Sequence, residues 1–172
     1  MRFFPIPDMM KRDIYEISPE EMKDRGVELV MLDVDNTLAP YTDDNASGRL
    51  VEWAEKLKKS GLKLFILSNN KGKRPERFAK ALGIEYIGKA RKPFTKTARQ
   101  ALEKMGLAPE KAALVGDQIY TDTLCAVRTG MLAVLVEPIK FTNIFLWLRY
   151  QLERPFRAVG RTILRDKEKK AL

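Results

Sequence analysis

Asp33 and Asp35 stand one residue apart at the end of the apolar run in LVMLDVDNTLAPY, residues 29–41. Carboxylates this close repel each other. The arrangement is tolerable where a hard divalent cation neutralises them, as Mg²⁺ does when it takes one or two carboxylates and completes its octahedron with waters and phosphate oxygens. In extended backbone a spacing of two puts both side chains on the same side. Asp33 can then attack phosphorus as a carboxylate nucleophile, while Asp35 protonates the leaving oxygen and later deprotonates water. Phosphoryl transfer otherwise asks for positioning and charge neutralisation. Ser68 and Asn69 in LSNN offer hydroxyl and amide donors, Lys92 in ARKPF offers a cation in preference to its neighbour Lys89, and Asp117 in GDQIYTD adds a third acid for the metal.

These residues need elements that bring them together. Short apolar runs at 27–33, 62–67, 112–115 and 131–136, with a weaker one at 85–88, read as strands of a parallel sheet buried on both faces. Helical patterns lie between them at 48–60, 74–82, 95–105 and 120–129, several closed by glycine. The alternation predicts an α/β fold, a doubly wound, Rossmann-like three-layer sandwich around a parallel sheet. In such a sheet ligands bind beyond the carboxyl ends of the strands. DVDNT, SNN and GDQIYTD each follow a strand.

Four motifs in this order carry a resemblance. DVDNT resembles the first motif of the haloacid dehalogenase (HAD) phosphohydrolases, D-x-D-x-T; LSNN resembles the second; Lys92 suits the third; and GDQIYTD resembles the fourth, G-D-x-x-x-x-D. The match runs over roughly residues 29–138, and its flavour is similar to the YqeG-type branch of class III HAD phosphatases, which includes the mitochondrial phosphatidylglycerophosphate phosphatase. The resemblance implies that Asp33 is nucleophile and Mg²⁺ ligand, and that Asp35 is the acid/base whose backbone carbonyl also binds the metal. It further implies that Ser68, Thr37 and Asn69 hold the phosphoryl group, that Lys92 neutralises nucleophile and phosphate, that Asp117 ligates Mg²⁺, and that Asp122 orients groups just outside the metal's own ligands. About thirty residues separate Asp35 from Ser68 and about two dozen separate Ser68 from Lys92. Helix and strand consume both gaps, so no large cap domain is expected, and an uncapped site suits phosphate presented on something bulky.

The bulk composition narrows the field. The chain has 172 residues, one domain's worth, with a net charge of +9 that favours anionic partners. No histidine is present, which excludes His-dependent triads and His metal sites, and the single Cys125 excludes an internal disulfide. No secretory signal or apolar run of spanning length is seen, so the expected location is cytoplasmic, with peripheral contact at the inner face of the membrane. Residues 1–138 read as the phosphatase core and 139–172 as a basic amphipathic extension. In the extension Phe141, Ile144, Phe145, Leu148 and Leu152 fall at helical spacing, Pro155 is expected to interrupt, and arginines follow on a second face. That segment has three open destinations: a membrane surface, which MRFFPIP could join, the core, or a second subunit. The leading functional expectation is a Mg²⁺-dependent phosphomonoesterase acting on a lipid phosphate such as phosphatidylglycerophosphate. A phosphatase of nucleotides or nucleic-acid ends, and a non-catalytic module binding RNA or a protein partner, stay open as alternatives.

Overall fold

The computed structural model describes residues 4–171. Six strands, β1 (Met9–Lys11), β2 (Leu29–Leu32), β3 (Lys63–Leu67), β4 (Glu85–Ile87), β5 (Ala112–Gly116) and β6 (Leu132–Val136), form one sheet in the order β1-β6-β5-β2-β3-β4. Every pairing is parallel. All carboxyl ends therefore point to one edge, and the central β2 is flanked there by β3 and β5.

The three layers follow from the period-two geometry of a strand. Along β2, Val30 and Leu32 enter a core with Leu50, Trp53 and Leu57 of α2 (Gly48–Lys59) and Phe78 and Leu82 of α3 (Arg74–Leu82). Leu29 and Met31 enter the opposite core with Ala98 and Leu102 of α4 (Lys96–Met105) and Cys125 and Ala126 of α5 (Leu124–Thr129). Burying each large aliphatic or aromatic side chain contributes roughly 1.5–3 kcal/mol. Burial pushes the Cys125 thiol up to about 11, so it stays protonated and packs as a small hydrophobe. Gly83 closes α3 with φ of 61°, a left-handed cap.

Two features lie outside the sequence expectation. The N-terminal segment supplies β1 as an edge strand on β6, followed by a short helix α1 (Pro19–Asp24) started by the Ser18 side chain, which accepts from the Glu21 N–H. The other is α6 (Ile144–Ala171), one helix with Pro155 inside it. An internal proline removes a hydrogen bond at a cost of about 3 kcal/mol. The core contacts made on both sides of it, by Glu153 and Arg157, offset that cost. Gly160 brings α6 close to the N-terminal segment, where an added Cβ would lie 3.2 Å from the Pro7 ring. Among the described residues no helix is long and apolar enough to cross a membrane, and no cap domain interrupts the sheet. Met1–Phe3 of the stretch assigned to a shared membrane surface lie outside the described residues.

Candidate active site

The strand ends bring five motif residues to one edge. Asp33 follows β2, Ser68 follows β3, Asp117 follows β5, Asp122 lies one wide helical turn (Ile119–Thr123) further on, and Lys92 precedes α4. All five are buried. Lys92 Nζ lies 2.8 Å from Asp33 Oδ1 and 2.6 Å from Asp122 Oδ1. Of the two candidate lysines, it is therefore Lys92 that reaches the acids. Asn69 holds its backbone from both sides: the amide donates to the Lys92 carbonyl at 3.0 Å and its oxygen accepts the Lys92 N–H at 2.7 Å. Lys89 and Arg91 take left-handed backbone, φ of 53° and 57°, in the segment that presents Lys92. Such conformations are uncommon outside glycine, and they concentrate at sites where surrounding contacts over-determine the chain.

The acids that converge are Asp33, Asp117 and Asp122, each contributing an oxygen within 4.8 Å of the other two. The Asp35 carboxylate, expected beside Asp33 around the cation, lies elsewhere. Its Oδ1 lies 2.8 Å from Arg74 Nε, off the hydrogen-bonding axis, and its Oδ2 accepts from the Asn70 amide at 2.9 Å. Asp122 joins the trio because Gly116 leaves room: a Cβ there would lie 2.2 Å from the Asp122 carboxyl carbon. The Thr37 hydroxyl points to Asp117 Oδ1 at 3.4 Å, and the Ser68 hydroxyl accepts the Asn70 N–H at 3.2 Å.

Electrostatics agree with the crowding. Burial raises Asp33 to about 7 against the pull of Lys92, with Asp122 pushing the same way. Burial, then Asp122 and Asp33, hold Asp117 well above the ordinary carboxylate range. Burial works against the Lys92 ammonium, yet Asp122 and Asp33 outweigh it and raise its pKa. Three buried carboxylates thus share one buried ammonium, and burial together with their mutual repulsion disfavours all three carrying charge at once. A divalent cation has the charge to balance them, and an all-oxygen donor set suits a hard ion such as Mg²⁺, Ca²⁺ or Mn²⁺.

Other residues complete the site at positions to which the motifs assign no role. A cleft of about 270 Å³ is lined by Asp33, Asp35, Asn69, Lys92 and Asp122, and also by Tyr41, Gln118, Thr121 and Arg149. Burial first, then Asp117, pushes the Tyr41 phenol up to about 12, so it remains a neutral donor. Buried Arg74 ties Asp35 to the following loop through the carbonyls of Ala39 (3.2 Å), Pro40 (2.6 Å) and Asp43. From α6, Arg157 donates to the Asp117 carbonyl and pairs with Glu153 and Glu137, each at 3.2 Å. The Tyr120 hydroxyl donates to the Leu152 carbonyl at 3.0 Å. A weak sequence signal for this anchoring did exist, the i, i+4 spacing of Arg149, Glu153 and Arg157, but nothing local says what those residues face.

A parallel α/β sheet with carboxylates and a lysine gathered at its carboxyl edge suits the class of proteins that transfer or hydrolyse phosphoryl groups. A family model described as HAD-hydrolase-like matches residues 89–138. Over 146 residues, the chain is 39% identical to the protein named Probable phosphatase YqeG of Bacillus subtilis, covering 85% of each. It is 30% identical over 154 residues to Phosphatidylglycerophosphate phosphatase 1, chloroplastic/mitochondrial, of Arabidopsis thaliana, covering 80% of this chain and 42% of that one. Among solved structures, an uncharacterized protein from Listeria monocytogenes serotype 4b superposes with a TM-score of 0.55 at 19% identity, covering 68% of this chain and 84% of that one. A Streptomyces avermitilis protein assigned to the HAD hydrolases gives 0.52 at 23%, with coverage of 71% and 80%. The chain belongs to the HAD-like hydrolase family, in its YqeG-type phosphatase branch. It is a hydrolase of phosphoric monoesters whose site carries an acidic cluster compatible with metal binding.

Proposed function

We propose that this phosphatase depends on Mg²⁺, works through an aspartyl-phosphate on Asp33, and acts on a phosphate carried by a lipid head group such as that of phosphatidylglycerophosphate. The observation that carries the mechanism is Asp33 at the end of the central strand, 2.8 Å from Lys92 and within 4.8 Å of Asp117 and Asp122. A carboxylate oxygen of Asp33 attacks phosphorus, the bond from phosphorus to the leaving oxygen breaks, and that oxygen takes a proton from Asp35. Water then attacks the acyl phosphate and gives its proton back to Asp35, releasing phosphate and regenerating Asp33. Arg74 and Asn70 orient Asp35, and Lys92 holds charge against nucleophile and phosphoryl oxygens. Ser68, Thr37 and Asn69 form the surrounding donors and positioners. Asp33, Asp117 and the Asp35 carbonyl would hold Mg²⁺, with Asp122 beside them. The bound ion supplies charge neutralisation for the transferring phosphoryl group.

Metal binding is measurable apart from turnover. Because the ion relieves repulsion present only in the folded site, Mg²⁺ at about 100 times its dissociation constant adds roughly 2.7 kcal/mol. In thermal unfolding that is a rise of about 5–10 °C, reversed by chelator. No shift with Mg²⁺, Mn²⁺ or Ca²⁺ removes the metal from the mechanism.

The lipid reading draws on the printed name of the Arabidopsis relative and on α6. Ile144, Phe145, Leu148 and Leu152 are exposed, Phe145 by 78% and Leu152 by 67%. Between Pro138 and Asp166 the only acid is Glu153, which is buried, whereas Lys140, Arg149, Arg154 and Arg161 lie in the same stretch. An apolar ridge beside cations and without exposed acids suits an anionic membrane surface. In this proposal 1–138 are the phosphatase core and 139–172 the extension that seats it peripherally on the bilayer. Phosphate release from phosphatidylglycerophosphate tests the substrate. Sedimentation with vesicles tests the docking: binding to anionic but not neutral vesicles is expected, reduced when Phe145, Leu148 and Leu152 are changed to Ser. Equal binding to both vesicle types speaks against it.

A further inference from the structure

Arg149 is a cation that the phosphatase motifs do not call for. It shares one face of α6 with Glu153 and Arg157, at i, i+4 and i+8. The two inner members of that row are buried and locked: Glu153 pairs with Arg157, and Arg157 also holds Glu137 and the Asp117 carbonyl. This anchoring fixes α6 against the end of β5. The outermost member, Arg149, is left one-third exposed in the wall of the active-site cleft that Asp33 and Lys92 also line.

Its nearest carboxylate oxygen, Asp117 Oδ2, lies 4.0 Å away, beyond hydrogen-bonding reach. The other oxygen of Asp117 accepts from Thr37, and the whole group belongs to the buried acidic trio. At 4.0 Å the Arg149–Asp117 pair is a charge–charge contact and not a hydrogen bond, so the guanidinium's donors are left to the cleft. Lys92, fully drawn into Asp33 and Asp122, supplies the cation for the phosphoryl group being transferred. Arg149 is a second, more exposed cation in the same cleft. Tyr41, held as a neutral phenol, lines the same cleft.

We infer that Arg149, with Tyr41 beside it, forms a subsite for a second anionic group of the substrate, a phosphodiester in particular. Guanidinium donors match such an oxyanion with two parallel hydrogen bonds. The subsite rests on the phosphatase reading given above and narrows its substrate class to esters that carry another anion near the scissile phosphate. Because the contact is made before and during reaction alike, its loss falls on KM more than on kcat.

Two soluble esters separate the contributions: glycerol 3-phosphate, which has no second anion, and dihexanoyl phosphatidylglycerophosphate, whose glycerol carries a phosphodiester and whose short chains remove the need for a membrane. With saturating Mg²⁺, Arg149→Met is expected to lose about 10- to 100-fold in kcat/KM on the lipid ester, through KM, and a much smaller factor on glycerol 3-phosphate. Arg149→Lys recovers part of the loss, and thermal unfolding checks that both variants are folded. Equal losses on the two esters overturn the subsite, since Arg149 would then act only through Asp117 or the fold. Failure of the phosphatase reading shows differently, as a wild type that releases phosphate from neither ester, and the subsite falls with it.

Discussion

Asp33→Asn protein folds and releases no phosphate. The amide cannot attack phosphorus, so turnover falls by about 10³-fold or more, the scale on which a covalent nucleophile is missed. Stability moves the other way or not at all. In the wild type, burial first and then Asp122 raise the Asp33 carboxyl to about 7, opposed by Lys92. A carboxyl whose folded-state pKa is raised costs stability as pH climbs from its ordinary value, 3.8, toward that raised one. The neutral amide removes this cost, and Lys92 keeps Asp122 as a partner at 2.6 Å. Without divalent ions, the melting temperature of the variant at pH 7 is therefore at least that of the wild type, and the comparison shifts in favour of the wild type at pH 4. Acid quenching of the wild type during turnover, followed by mass spectrometry, places one phosphoryl group on the peptide carrying Asp33. Undiminished turnover in the variant, or a phosphoryl group on another peptide, takes the nucleophile away from this position.

Arg157→Met unseats α6. The guanidinium is almost completely buried and holds Glu153, Glu137 and the Asp117 carbonyl, with its charge 4.6 Å over the Tyr150 ring. Removing one partner of a buried pair costs about 3–5 kcal/mol, because the other charge is stranded. For a chain of this size the melting temperature falls by roughly 6–20 °C. The pH dependence identifies the cause. Burial already raises the Glu153 pKa and Arg157 lowers it, so loss of the arginine raises it further. A raised carboxyl pKa binds protons more tightly in the folded state, hence the deficit is largest near pH 8 and shrinks as pH falls toward 5. Arg157→Met with Glu153→Gln recovers most of the stability at pH 8. A deficit that ignores pH, or that the double variant leaves unchanged, means that the stranded charge is not the reason. Activity drops with stability in the single variant, since Asp117 and Arg149 both sit where α6 meets the site.

The sequence by itself determined the parts of this protein that depend on local rules. Apolar runs of strand length alternating with amphipathic helices dictate a parallel sheet, and a parallel sheet puts every carboxyl end on one edge. Asp33, Ser68 and Asp117 each follow a strand, so their approach to a common edge was legible before any coordinate. Tertiary structure decided what each side chain faces once it arrives. Asp35 lies on the same strand end as Asp33 but turns to Arg74 and Asn70, and its place among the converging acids is taken by Asp122, which fits only because Gly116 lacks a Cβ. The edge strand Met9–Lys11 is too short to stand out, and it exists through its register with Val134–Val136. Pro155 reads as a helix stop because local propensity penalises it, and the helix continues because Glu153 and Arg157 on either side are held by the core. Arg74, Arg149 and Arg157 look like members of a solvated charge run, since composition cannot distinguish a cation facing water from one facing a carbonyl. The contacts that tie them to the site, Arg74 to the Asp43 carbonyl, Arg149 to Asp117 and Arg157 to the Asp117 carbonyl, span 31 to 40 positions in sequence, and only the packing of α3 and α6 against the strand ends sets those pairings, because burial makes an ion pair or a carbonyl contact decisive where water would have made it negligible.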